Sequence, residues 1–252
     1  MKNVYGLLRN LILNPFYNRV ILKILWQNFK KRYFNINLET RDRQKEAEAL
    51  IEKEEIIQGL IKTHGGLTFL EVGLGPFPNV ERMRLISQNN ITYTGCDFEE
   101  VCKTHEALLS ANSLSGLKVR LVSNRVGTYA WTLFDLMKTG EQFDLIYIDG
   151  NHTFYIDLPA FMIADCLIKP GGSILIDDID FTLISLLQDM ISDFGTWNFY
   201  RLKYDFHQYE TEQQGIPHIR KIVEDFLIPK LGYEMIELSE NPFVELRLLK
   251  KP

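Results

Sequence analysis

Between residues 68 and 178 the sequence returns again and again to short apolar runs rich in β-branched and aromatic residues, separated by stretches of helical periodicity. This alternation, more than any other feature, limits the folds open to the chain. The runs are residues 68–72, 91–97, 118–123, 143–149 and 173–178. Each is short and patterned as buried on both faces, which predicts parallel strands joined by crossover helices. Those helices are expected to begin near Asn79, Glu99, Thr128 and Phe154. The last should end before Lys169-Pro170-Gly171-Gly172, read as a turn because proline cannot continue a helix and glycine permits a tight reversal. Residues 233–238 and 243–249, joined by Ser239-Glu240-Asn241-Pro242, predict an antiparallel hairpin added to the sheet. Helices are also expected near residues 181–194 and 217–231.

Ahead of the first strand, residues 40–61 read as a helix, with Ala47, Leu50, Ile51, Ile57, Leu60 and Ile61 at helical spacing and His64-Gly65-Gly66 as its stop. Length and composition, 252 residues with 46% hydrophobic and 24% charged, fit one α/β domain with an appendage. We divide it into a helical N-terminal extension, residues 1–55, and a sheet domain, residues 56–252, with an aromatic insert at about 195–215. Cys96, Cys102 and Cys166 are odd in number and lack Cys-x-x-Cys spacing, which argues against a disulfide framework or zinc knuckle and for a reducing, cytoplasmic setting. A net charge of -5 is not the footprint of a general nucleic-acid binder.

Residues 1–34 are different: Lys2, Arg9, Arg19, Lys23, Lys30, Lys31 and Arg32 occur with no acidic residue, among many aliphatic and aromatic side chains. Arg9, Arg19 and Lys23 interrupt every window long enough to span a bilayer, roughly 20 residues. The segment reads as a lid, an arm joining a homodimer, or a basic interfacial helix that meets an anionic membrane surface.

The first strand ends in Phe69-Leu70-Glu71-Val72-Gly73-Leu74-Gly75-Pro76. Glycines directly after a strand let the backbone approach a ligand, although a tight turn with no ligand needs them equally. The next strand ends at Asp97, followed by Phe98, near the roughly 20-residue offset at which nucleotide-binding α/β domains place a carboxylate for ribose hydroxyls. A nicotinamide site prefers Gly-x-Gly-x-x-Gly, and Pro78 stands at its last position.

A second group lies on the later strands, with Asp149 ending one and Asp177-Asp178 the next. Carboxylates crowded on one sheet edge repel unless protonated or neutralised, and their hard oxygens suit magnesium, calcium or manganese. Equally, Asp149 reads as a turn cap and Asp177 to Asp180 as a solvated helix N-terminus.

Together, Glu71-x-Gly73-x-Gly75, Asp97, the block Phe143-Asp144-Leu145-Ile146-Tyr147-Ile148-Asp149-Gly150-Asn151-His152 and Lys169-Pro170-Gly171-Gly172 resemble the class I S-adenosylmethionine-dependent methyltransferases over about residues 56–251. The resemblance implies a Rossmann-like, seven-stranded, mostly parallel sheet with a C-terminal antiparallel hairpin. It also implies S-adenosylmethionine lying over the strand ends, with Glu71 near its methionine end, Asp97 and Phe98 at its ribose, and Gly73, Gly75 and Asp149 along it. The sequence departs from the family in placing Phe77 where a third glycine is common. For the adenine, Asn124 in Ser123-Asn124-Arg125-Val126-Gly127 is the candidate, although the acidic residue common in that loop is missing.

Asp149-Gly150-Asn151-His152 followed by Ile176-Asp177-Asp178 is similar to the metal-dependent small-molecule O-methyltransferases, nearest to the sugar- and macrolide-modifying branch. That likeness implies Mg2+, or another divalent cation, held by Asp149, Asp177 and Asp178, with His152 as general base toward a hydroxyl of a small, sometimes glycosylated, acceptor. His152 also reads as a turn histidine bonded to a neighbouring carboxylate, and Asp180 as a substitute ligand. His64, His105, His207 and His218 are assigned no catalytic role. The insert, residues 197–209, interleaves aromatics with charges and reads either as an acceptor wall or as ordinary core. The alternatives to metal-assisted O-methylation are a metal-independent N- or O-methyltransferase and a non-catalytic Rossmann-like binding module.

Overall fold

A computed structural model describes residues 43–63, 66–112, 118–125, 127–183, 208–210 and 212–252. The expectations for residues 1–34, for residues 184–194 of a helix, and for residues 195–207 and 211 of the insert lie outside these, as do His64, Gly65 and Val126. Contacts divide the chain into two units, one of residues 45–181 and 217–252, the other of residues 1–44 and 182–216. In the second unit the described residues include a 3-10 turn, Gln213–Gly215, and Gln214 donates through Nε2 to the Tyr209 carbonyl at 3.1 Å. No helix among the described residues is long and apolar enough to cross a membrane.

The larger unit alternates as the hydrophobic pattern requires: helix α1 (Arg43–Thr63), β1 (Thr68–Val72), α2 (Val80–Gln88), β2 (Thr92–Phe98), α3 (Glu99–Ala111), β3 (Val119–Asn124), α4 (Tyr129–Lys138), β4 (Phe143–Ile148), α5 (Phe154–Leu167) and β5 (Ile168–Ile176). Then α6 (His218–Ile222) passes through a π segment, Val223–Leu227, into α7 (Ile228–Leu231), followed by β6 (Glu234–Glu237) and β7 (Arg247–Lys250). The seven strands are ordered β3-β2-β1-β4-β5-β7-β6, parallel except that β7 runs against both β5 and β6.

Because strand side chains alternate, each strand feeds two cores. Leu70, Val72, Ile146, Ile148, Ile174 and Ile176 pack with Leu133 of α4, Phe161 of α5 and Ile222 of α6. Phe69, Tyr93, Leu145, Tyr147 and Leu175 pack on the other face with Ile57 and Ile61 of α1 and Met83 and Ile86 of α2. By the same alternation Glu71 and Asp177 fall in step with Phe69, Tyr147 and Leu175, on the face that α1 and α2 cover.

Three expectations are corrected. The buried stripe of α1 is Ala49, Ile57 and Ile61, with Lys53 between them at the same spacing of four, whereas Leu50 and Ile51 are exposed. The segment Lys169 to Gly172 is no turn but a bulge within β5. Ile168 pairs with Phe143 and pairing resumes at Ser173 with Leu145, which Gly171 allows by adopting φ +74. The last strand starts four residues late, because Asn241 folds residues 239–244 into a turn, its Oδ1 accepting from Phe243 N at 3.1 Å and its N–H donating to Ser239 Oγ at 2.9 Å.

The boundary at residue 55 falls inside α1. Three successive residues of that helix reach three different parts of the sheet domain. Glu52 accepts from Ser239 and Asn241, Lys53 pairs with Asp177, and Glu54 pairs with Arg82.

Candidate active site

Glu71, Gly73, Gly75, Asp97, Phe98, Asn124, Asp149, His152, Asp177 and Asp178 lie at or just beyond the C-terminal ends of β1, β2, β3, β4 and β5, where open α/β sheets bind ligands. Gly73 takes φ +86 and its N–H donates to the Cys96 carbonyl at 3.0 Å. A Cβ there would lie 1.7 Å from the Asp149 carbonyl oxygen, so this glycine is demanded first by the loop beyond β4. Gly75, φ +65, is the opposite case, because a Cβ there meets nothing within 4 Å and the loop faces open space. Asp97 Oδ2 accepts from Leu74 N at 2.8 Å and Oδ1 from Phe98 N at 2.6 Å, which ties the β2 end to the glycine loop and leaves acceptor capacity on both oxygens. Asn124 turns to the start of α4, accepting from Thr132 Oγ1 at 3.0 Å and donating to the Thr128 carbonyl at 3.3 Å.

A cavity of about 290 Å³ opens beside the glycine loop, lined by Glu71, Gly73, Gly75, Arg82, Tyr147 and Asp149 among others. Phe77 stands at its wall with the side chain 72% exposed, so it directs its ring outward where a third glycine is common. Sequence reasoning missed much of this lining. Glu71 is buried, accepting from Arg82 Nη1 at 2.6 Å and Tyr93 Oη at 2.8 Å. Arg82 also grips Glu54 and lies over the Tyr147 ring at 5.7 Å. His105, assigned no catalytic role above, also lines the cavity, its Nε2 3.1 Å from the Gly75 carbonyl. The usable signal was the helical register of α3, where His105 shares the buried face with Cys102 and Leu109.

Asp149, His152 and Asp178 converge so that one donor atom of each lies within 4.8 Å of the others. His152 Nε2 is 3.6 Å from Asp149 Oδ1 and 3.6 Å from Asp178 Oδ2, and its ring tilts against Phe181 with centroids 5.2 Å apart. His152 and Asp178 both hold positive φ, 60° and 49°, a costly conformation for non-glycine residues that concentrates at working sites. Asp177, beside them, has other partners: Tyr147 Oη donates to its Oδ2 at 2.7 Å, Lys53 Nζ contacts the same oxygen, and Oδ1 accepts from Asp178 N at 2.9 Å. Asp180 pairs with Arg220.

The electrostatics follow from that packing. Burial raises Asp149, and the neighbouring Asp177 and Asp178 add to this against the opposing pull of Lys53. Burial and Asp177 likewise raise Asp178. For Asp177 burial pushes upward but Lys53 and Tyr147 outweigh it, so its carboxyl sits below the usual range. Burial lowers the His152 imidazole, although Asp178 and Asp177 pull the other way. Two carboxyls that resist ionisation beside an imidazole of lowered basicity form a site with unspent affinity for positive charge.

The loop carrying Asp149 to Thr153 is held by Asp157, fully buried on α5. Its Oδ2 accepts from Thr153 N at 2.7 Å, and its Oδ1 accepts from Tyr129 Oη, which in turn accepts from Asn151 N at 3.1 Å. Gly150 is required there, since a Cβ would meet Tyr129 Oη at 2.3 Å. His218 Nδ1 accepts from Phe154 N at 3.1 Å, a structural role at the start of α5.

A family model described as a methyltransferase domain matches residues 19–179, more than half of the chain. No curated protein matches it. Among solved structures it is similar to a protein of Nostoc punctiforme named for O-methyltransferase activity, with 12% identity over 95% of this chain and 70% of that one, TM-score 0.50. It is also similar to a Staphylococcus aureus protein named as a caffeoyl-CoA O-methyltransferase, with 16% identity over 91% and 92% of the two chains, TM-score 0.49. A third is an O-methyltransferase of Bacillus cereus in complex with SAH, with 15% identity over 94% and 91%, TM-score 0.42. At these identities the likeness is one of fold.

Proposed function

Because this chain belongs to the methyltransferase-domain family, and is a class I S-adenosylmethionine-dependent methyltransferase, we propose that it methylates a hydroxyl oxygen of a small molecule with the help of a divalent cation. The observation that carries this reading is the convergence of Asp149, His152 and Asp178 beside the cavity of the glycine loop.

The residues present fit the cofactor. The side of Gly75 that a Cβ would occupy is open, the cavity approaches the roughly 300 Å³ lower end of ligand pockets, and Asp97 keeps lone pairs for two ribose hydroxyls. Glu71 would face the methionine end together with Arg82. When bound, S-adenosylmethionine supplies an electrophilic methyl on a sulfonium.

The site also fits a hard cation, since Asp149 and Asp178, for which the described residues show no lysine or arginine pair, meet one imidazole. These two would hold magnesium, and Asp177 would join them where Lys53 releases it. The cation they hold would lower the pKa of the acceptor hydroxyl. His152 Nε2 takes the hydroxyl proton, and burial keeps that imidazole neutral and able to do so. S-adenosylmethionine held in the cavity would supply the methyl to that oxygen, the electron pair of the carbon–sulfur bond staying on sulfur. A sugar or glycosylated metabolite is the proposed acceptor class.

The pair Lys53–Asp177 favours a second reading, a metal-independent methyltransferase in which the Lys53 ammonium already supplies the positive charge. Titration calorimetry with S-adenosylmethionine and S-adenosylhomocysteine tests the cofactor, and binding of both is expected. Asp149→Ala and His152→Ala should abolish turnover and leave that binding intact. EDTA should inhibit, with magnesium restoring activity; full activity in EDTA would select the metal-independent reading.

A further inference from the structure

The geometry points to Lys53 as a built-in counter-cation that competes with a divalent ion for Asp177 and thereby weakens the acidic site's hold on metal. The inference rests on the metal-assisted reading above and adds a residue that the site motifs do not contain.

Lys53 occupies the centre of the buried stripe of α1, four residues after Ala49, four before Ile57 and eight before Ile61. A lysine at an otherwise apolar helix position is costly unless its ammonium is paired. Here the pairing is with Asp177, whose side chain is 1% exposed against 20% for Lys53. Oδ2 of Asp177 is taken up by Tyr147 and Lys53 and Oδ1 accepts from the Asp178 N–H, so although the carboxyl lies close to those of Asp149 and Asp178, an incoming cation meets the Lys53 ammonium already seated on it. The ammonium acts beyond its partner, since Asp149 and Asp178 also feel its charge. A divalent ion between Asp149 and Asp178 therefore enters a basin already partly neutralised, and it is repelled by Lys53 at short range. The helix end of this device is fixed by neighbours on either side, Glu52 on the 239–241 turn and Glu54 on Arg82, so Lys53 cannot leave simply by moving α1.

A positioning lysine and a competing lysine differ in sign. If Lys53 only shapes the site, removing it loosens metal binding; if it competes, removal tightens it. The test is Mn2+ titration of the full chain, with free Mn2+ followed by electron paramagnetic resonance, for the wild type, Lys53→Met, Lys53→Gln, Lys53→Arg and Asp149→Asn. We expect Lys53→Met and Lys53→Gln to bind Mn2+ about tenfold more tightly than the wild type, given a unit charge removed from a partly buried basin. Lys53→Arg should match the wild type, and Asp149→Asn should lose binding. Circular dichroism identifies which neutral variant remains folded, and a folded neutral variant with unchanged or weaker Mn2+ affinity overturns the inference while leaving the metal reading standing. Absence of Mn2+ binding in the wild type and in both neutral variants overturns the metal reading, and this inference with it.

Discussion

Gly73 has the least tolerance of any residue in the site. Its φ of +86 is one that L side chains rarely adopt, and its Cα hydrogen faces the Asp149 carbonyl with no room for a methyl. Gly73→Ala should therefore cost about 2–4 kcal/mol, the sum of a strained backbone and a displaced strand end. A thermal melt with an unchanged midpoint would refute this. His152 makes a prediction of a different kind. Burial lowers its pKa, so the imidazole remains an unprotonated base to a lower pH than an ordinary histidine. As pH falls, kcat/KM should hold until below about 6.5 and only then decline. In His152→Gln turnover should drop about 10²- to 10⁴-fold and that acidic limb should disappear. A limb centred at or above the ordinary histidine value would remove His152 as the base.

Among the elements, the connection from β4 to α5 bears most of the proposed mechanism, because it carries Asp149 and His152 and is shaped from outside by α4 and α5. Asp157 is its anchor. Asp157→Ala leaves the Thr153 N–H and the Tyr129 hydroxyl without their acceptor in a buried place, at a cost of about 2–4 kcal/mol for two orphaned donors. Turnover should fall with stability, and cofactor affinity should change less, since the glycine loop lies elsewhere; chemical denaturation and calorimetry on the same variant separate the two. Helix α1 shows how an element's role hides from its composition. Leu50 and Ile51 look like core residues and are exposed, while the charged triplet Glu52, Lys53 and Glu54 makes the working contacts. Those partners lie 28 to 189 residues away, and no helical period in a single sequence encodes them.

For the whole molecule, ligand binding to the folded state alone should raise its stability. S-adenosylhomocysteine at about a hundredfold excess over its Kd should add about 2.7 kcal/mol, visible as a higher melting temperature, and Gly73→Ala should blunt the effect. The sheet was legible in the sequence because parallel strands and crossover helices write their periods locally: residues 68–72 and the helix starts at Val80, Glu99, Tyr129 and Phe154 stand within a residue of expectation. The bulge at Gly171 was not legible, because proline and two glycines serve a turn or a bulge alike and only pairing with β4 decides between them. Likewise Asp149, Asp177 and Asp178 announce an acidic strand edge, but the pairing of Asp177 with Lys53, a residue far away in the chain, is not written in that motif. The contact between Gly73 and the Asp149 carbonyl reaches furthest of all. It packs the loop after β1 directly against the loop after β4, so on the proposed function a new acceptor is accommodated by reshaping the walls around the two loops and not by moving one loop toward the other.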